Sequence, residues 1–208
     1  MIRIILLIAT FTLSLVVKGQ QMYSEDMREA LAFFKEANYE KAIPTFEKVA
    51  GYSAENWLPN YYISLSYALQ SFREADKIRR EELLKNADNY FEKIASSESK
   101  NPEVLNLEAM LYMGWMAYNP MQYGAMYFTS VVEAYNRARK IDPTNPRVAY
   151  MLVQFDMNST KYLGGNAKDF CNELEKSIEL FHNFKPESEF HPNWGLDHAE
   201  ELYRICTK

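Results

Sequence analysis

A six-residue phrase recurs along the chain. Thr45-Phe46-Glu47-Lys48-Val49-Ala50 returns as Tyr90-Phe91-Glu92-Lys93-Ile94-Ala95. Looser copies follow at Ala134-Tyr135-Asn136-Arg137-Ala138-Arg139 and Glu173-Leu174-Glu175-Lys176-Ser177-Ile178. The large apolar residues Phe46, Phe91, Tyr135 and Leu174 stand 45, 44 and 39 residues apart. A period of that size predicts an array of stacked helical hairpins, each lending its neighbour the apolar wall it lacks. The recurrence names no ligand, partner or reaction.

The N-terminus has the layout of a secretory signal peptide. Arg3 supplies a charged start, Ile4–Val17 is uncharged, and Gly19|Gln20 is the expected cut, leaving residues 20–208 as one domain. At ~1.5 Å per residue the 14-residue run reaches ~21 Å, short of a ~30 Å hydrocarbon core, so the chain is not expected to span a membrane after cleavage. Loss of Arg3 and Lys18 leaves 21 basic residues against 28 acids, a net charge of −7. That balance argues against nucleic acid, whose affinity comes from Lys and Arg at phosphates. A periplasmic or secreted location follows, in a compartment where a disulfide persists.

Taken in order, helices are expected over 23–34 and 39–50, with Ser24 as the first cap. Others begin at Trp57 and Glu103, and after Pro120 the helix resumes at Phe128. Further helices are expected from Val148, over 167–184 and over 197–205. The charged run Arg73–Glu82 extends both helices of the second hairpin. Pro44 is expected to be tolerated only near the first turn of its helix. The last two helices run antiparallel around a loop at about 183–194. Cys171 and Cys206 then stand at the same level, which predicts a disulfide between them.

Ala30 with Phe33, and Ala42-x3-Phe46, resemble the small-residue and aromatic positions of tetratricopeptide (TPR) repeats. Pro143, eight residues after Tyr135, stands where such repeats place their terminal Pro. The exported region also resembles uncharacterised exported bacterial TPR-like proteins. That similarity rests on DPTNPR at 142–147, YLGGNAKDF at 162–170 and FKPESEFHPNWG at 184–195. The resemblance implies an all-α fold: a right-handed α-solenoid of about four degenerate TPR-like hairpins plus a C-terminal capping helix. More distantly, the arrangement is similar to TPR components that accompany substrate-uptake systems outside the cytoplasm.

A catalytic set is not legible. His182, His191 and His198 lack the spacing of helical zinc ligands, and no Gly-x-Ser-x-Gly elbow occurs. Gly164-Gly165-Asn166 reads as a helix start with an Asn cap. No metal, cofactor or catalytic residue is therefore expected. Carboxylate-gripping TPR domains use Lys and Asn on their inner helices; here the matching positions are Met27, Leu31, Leu58, Tyr61 and Leu65. The leading expectation is an exported, non-catalytic scaffold whose face at Leu58, Tyr61, Leu65, Tyr112 and Trp115 takes a protein or peptide partner. The alternative is a helical-repeat binder of a small apolar molecule, held by stacking and accessory to an uptake system.

Overall fold

The computed structural model describes residues 2–52 and 56–208, with side chains from Gly19 onward except at Tyr162. Met1, and the side chains of the expected signal segment before Gly19, lie outside the described residues. Nine α-helices occur among the described residues, with no strand: α1 (Ile2–Lys35), α2 (Tyr39–Ala50), α3 (Trp57–Arg73), α4 (Lys77–Ala95), α5 (Pro102–Tyr118), α6 (Pro120–Ile141), α7 (Pro146–Tyr162), α8 (Cys171–Asn183) and α9 (Leu196–Cys206). A 3₁₀ turn, Ala167–Phe170, precedes α8. No described helix is long and apolar enough to cross a membrane.

Each helix packs chiefly on a neighbour in the chain, and α5 also touches both α3 and α7. The recurring apolar residues lie on α2, α4, α6 and α8. Phe46, Tyr135 and Leu174 are fully buried, while Phe91 packs half-buried against the core. Ala42, Ala87 and Val131, each four residues before its large partner and on the same helical face, are also fully buried.

A second recurrence sets the starts of α3, α5 and α7. Asn56, Asn101 and Asn145 cap these helices, each side chain accepting from the backbone N–H two residues on. At α5 and α7 the cap is followed by Pro at the first helical position, where no intrahelical partner for an N–H is lost. The same pair explains α6. Asn119-Pro120 does not interrupt the helix until Phe128; Asn119 caps it and Pro120 is its first residue. Ser24 is no cap either, because α1 runs through it and its hydroxyl donates to the Gln20 carbonyl. Pro44 stands sixth in α2, beyond the expected first turn, and both it and Glu40, four residues before, are exposed.

The caps place Glu103 and Arg147 second in their helices, at equivalent points of successive hairpins. Arg147 Nε donates to Glu103 Oε2 at 2.8 Å, Arg147 Nη2 to Oε1 at 2.6 Å, and Asn145 Nδ2 to the same Oε1 at 2.5 Å. Arg147 is wholly buried, with its guanidinium 4.4 Å from the centre of the Phe184 ring. Burial works against its charge, but Glu103 and the Tyr61 and Tyr62 phenols together outweigh burial and raise the guanidinium pKa.

Residues 184–195 form a strap from the C-terminal helices back to the start of the chain. The Tyr62 hydroxyl donates to the Phe190 carbonyl at 3.0 Å, and Trp194 Nε1 to the Tyr61 hydroxyl at 3.1 Å. Arg28 holds Glu189 through two nitrogens, at 2.7 and 2.9 Å. The strap closes at Gly195 (φ 108°), where a side chain would be strained and would meet the Phe181 ring at 3.0 Å. Cys171 and Cys206 are disulfide-bonded, Cα atoms 5.8 Å apart, joining the start of α8 to the end of α9.

Removing one member of a buried pair strands its partner's charge, which costs about 3–5 kcal/mol, whereas removing both is often near neutral. Arg147→Met should therefore destabilise the protein by about that amount, and adding Glu103→Gln should restore most of it. Urea unfolding of the two variants and the parent measures both effects.

Candidate functional site: an apolar cavity between the odd-numbered helices

The odd-numbered helices α1, α3, α5 and α7, termed the inner helices, do not close on one another along their whole length. Between them lies a half-open cavity of about 1330 Å³. Its walls come from the ends of α1 and α3 (Phe34, Leu69, Phe72), from α5 (Met110, Met113, Met116) and from α6 (Ala125, Phe128). The α7 residues Tyr150, Met151 and Phe155 complete them, with Trp194 of the strap. Four thioethers and seven aromatic rings border this space. Such a wall offers dispersion and ring contacts, and methionine adapts to the shape of what it meets. The volume exceeds the roughly 300–1,000 Å³ of ordinary small-molecule pockets.

Gln154, Asn158, Ser159 and Asn193 add uncharged polar groups to the wall, and the charged residues come from helix ends. Lys35 and Arg73 close α1 and α3; Asp197 and His198 open α9. Tyr39 is buried, which raises its phenol pKa, while the nearby charge of Arg73 pulls it down. Burial pushes Tyr150 up to about 12, opposed by the Gln154 amide, which donates to its hydroxyl at 3.1 Å. Both phenols are therefore protonated at neutral pH. Among the described residues no group of three or more His, Cys, Asp or Glu is arranged to hold a metal ion. His191 borders a separate polar cleft of about 900 Å³ at the other end of the helices, floored by Glu103 and Arg147. Both acids and bases border that cleft, so His191 and His198 have different surroundings.

The five residues expected to form an accessible face do not form one. Leu58, Tyr61 and Leu65 are buried in the core. Their stripe continues along α3 to Leu69 and Phe72, and only that C-terminal end reaches the cavity. Tyr112 and Trp115 lie on the side of α5 away from Met110, Met113 and Met116. Trp115 Nε1 donates to Asp88 Oδ2 at 2.8 Å, and the Tyr118 hydroxyl to Glu81 at 2.7 Å. Tyr112, Tyr127, Tyr123 and Trp115 follow ring against ring at 4.9, 5.5 and 5.3 Å. The reason is chemical: indole N–H and phenol O–H groups need acceptors, and α4 provides them at Asp88 and Glu81.

Burial in this aromatic array raises the Asp88 carboxyl to about 6, against the Trp115 hydrogen bond, which lowers it; Glu92 adds to the rise. The folded protein thus holds this proton more tightly than the unfolded chain. The ionised carboxyl opposes folding as pH rises from 3.8 through about 6, and the handicap is complete at neutral pH. Asp88→Asn keeps an acceptor for Trp115. It should raise the melting temperature on the order of 2 °C or more at pH 7.5 and leave it nearly unchanged at pH 3.5, as scanning calorimetry at the two pH values would measure.

No protein-family model matches the chain, and no curated protein matches it. Among solved structures, the HusA haemophore from Porphyromonas gingivalis is similar in fold, with a TM-score of 0.75. The likeness covers 88% of this chain and 92% of that one, at 21% sequence identity.

Proposed function

We propose that this chain is an exported, non-catalytic binder of a flat, apolar, tetrapyrrole-type small molecule, accessory to its uptake. Of the two readings open to the sequence, geometry favours the small-molecule binder. The observation that carries it is the cavity: a space of about 1330 Å³ walled largely by thioethers and aromatic rings, with few charged residues on its border. An extended peptide would need partners for its backbone N–H and C=O groups inside such a space. A rigid macrocycle offers its faces to rings and methyls and loses little conformational freedom on binding. The protein of like fold is a haemophore, which supports a tetrapyrrole as the occupant.

The architecture reads as a right-handed superhelix of TPR-like hairpins. Its support is the recurrence of Phe46, Phe91, Tyr135 and Leu174 on alternate helices and of the Asn caps between them. The Cys171–Cys206 bridge suits work outside the cytoplasm, where such bonds persist.

Protoporphyrin IX, added to the purified protein and followed by its absorbance and fluorescence, tests the proposal. Binding is expected, and Ala125→Trp, which fills the cavity from α6, should weaken it about tenfold or more. Trp115→Ala should leave it unchanged. Affinity insensitive to Ala125→Trp but lost with Trp115→Ala would move the site to the aromatic array.

A further inference from the structure

Two cations and one carboxylate border the cavity, and we infer that Lys35 and Arg73 form a carboxylate-reading pair, so that its ligand is an acid carrying its carboxylates along one edge. This inference rests on the reading of the cavity as a tetrapyrrole site. Lys35 and Arg73 are the only Lys or Arg residues among those bordering the cavity, and they come from the final turns of two different helices. Asp197 and His198, from the first turn of α9, are the other ionisable groups of the rim besides the phenols. An anionic edge is therefore drawn toward the ends of α1 and α3, and the apolar body is left against the methionines of α5.

Cations at helix C-termini are common because the helix dipole favours them there. That explains their positions but not the condition of Arg73. The described arginines elsewhere each donate to a carboxylate, an amide or a carbonyl: Arg28 to Glu189, Arg79 to Glu82, Arg80 to the Glu74 carbonyl, Arg137 to Glu108, Arg139 to Asn136, Arg147 to Glu103, and Arg204 is paired with Glu201. Among the described residues Arg73 has no such partner. Its charge is felt instead by the Tyr39 phenol, which borders the same cavity. Both cations are exposed, so a carboxylate can reach them without their first being desolvated. A guanidinium offers a carboxylate two parallel N–H donors and an ammonium offers a point charge. Two carboxylates on neighbouring corners of one rigid ring would be read separately, one by each.

The test compares mesoporphyrin IX with its dimethyl ester, which has the same macrocycle without the charges, on the full chain and on Lys35→Glu/Arg73→Glu. Both substituted positions are exposed, so the fold is expected to survive, and circular dichroism checks it. The diacid should bind the parent about tenfold or more tightly than the ester, since hydrogen bonds to charged groups are the strong ones. That preference should shrink as salt is raised. Charge reversal should abolish it while leaving ester affinity within about twofold. Equal binding of diacid and ester by the parent, or a preference untouched by charge reversal, would overturn the inference and leave the cavity as a tetrapyrrole site. Failure of both compounds to bind the parent would overturn the two together.

Discussion

Four separate pieces of chain meet at the ion pair between Glu103 and Arg147. It joins α5 to α7, and its guanidinium lies against the Phe184 ring of the strap, with Gly195 beside the Arg147 stem. Tyr61 and Tyr62 of α3 are close enough for their phenols to be influenced by both charges, and they tie the strap down by donating to Phe190 and accepting from Trp194. Stability alone does not require such a pair, because well-packed apolar residues do as well or better. What the pair supplies is register: two N-terminal turns, 44 residues apart, meet in one arrangement and exclude its neighbours.

Register at one end of the inner helices governs the space at the other. Near their N-termini, α3, α5 and α7 are held together by the ion pair, the Asn caps and the strap, and Leu58, Tyr61, Leu65, Leu105 and Leu107 are buried there. Toward their C-termini the exposed apolar side chains Phe72, Phe128 and Leu163 border the opening. Trp194 belongs to both ends, since its N–H is spent on Tyr61 while the residue borders the cavity. A buried polar contact and an apolar cavity wall are thus parts of one construction.

Much of the architecture could be read from residues. The spacing of Phe46, Phe91, Tyr135 and Leu174 placed a helix at each, and the positions of Cys171 and Cys206 around a hairpin loop gave the disulfide its partners. The site was legible only in part. Met110, Met113 and Met116 have the same three-residue spacing as Tyr112, Trp115 and Tyr118, set two residues back and so on the opposite side of α5. Periodicity cannot say which stripe faces a cavity. Hydrogen-bonding capacity can: Trp115 and Tyr118 must reach acceptors, and Asp88 and Glu81 lie one hairpin turn away on α4. Asn-Pro pairs carried a second signal. Read as stops, they hid the first eight residues of α6; read as a cap followed by a first helical residue, they place the starts of α5, α6 and α7 together.

Selective labelling of the methionine methyl groups gives the most direct view of where a ligand lies, because a porphyrin ring strongly shifts the resonances of methyls that face it. On addition of protoporphyrin IX, the signals of Met110, Met113, Met116 and Met151 should move, while that of Met27, buried in the packing of α1, should stay. Binding that leaves those four unmoved and shifts Met121 or Met126 instead would contradict a ligand held between the inner helices.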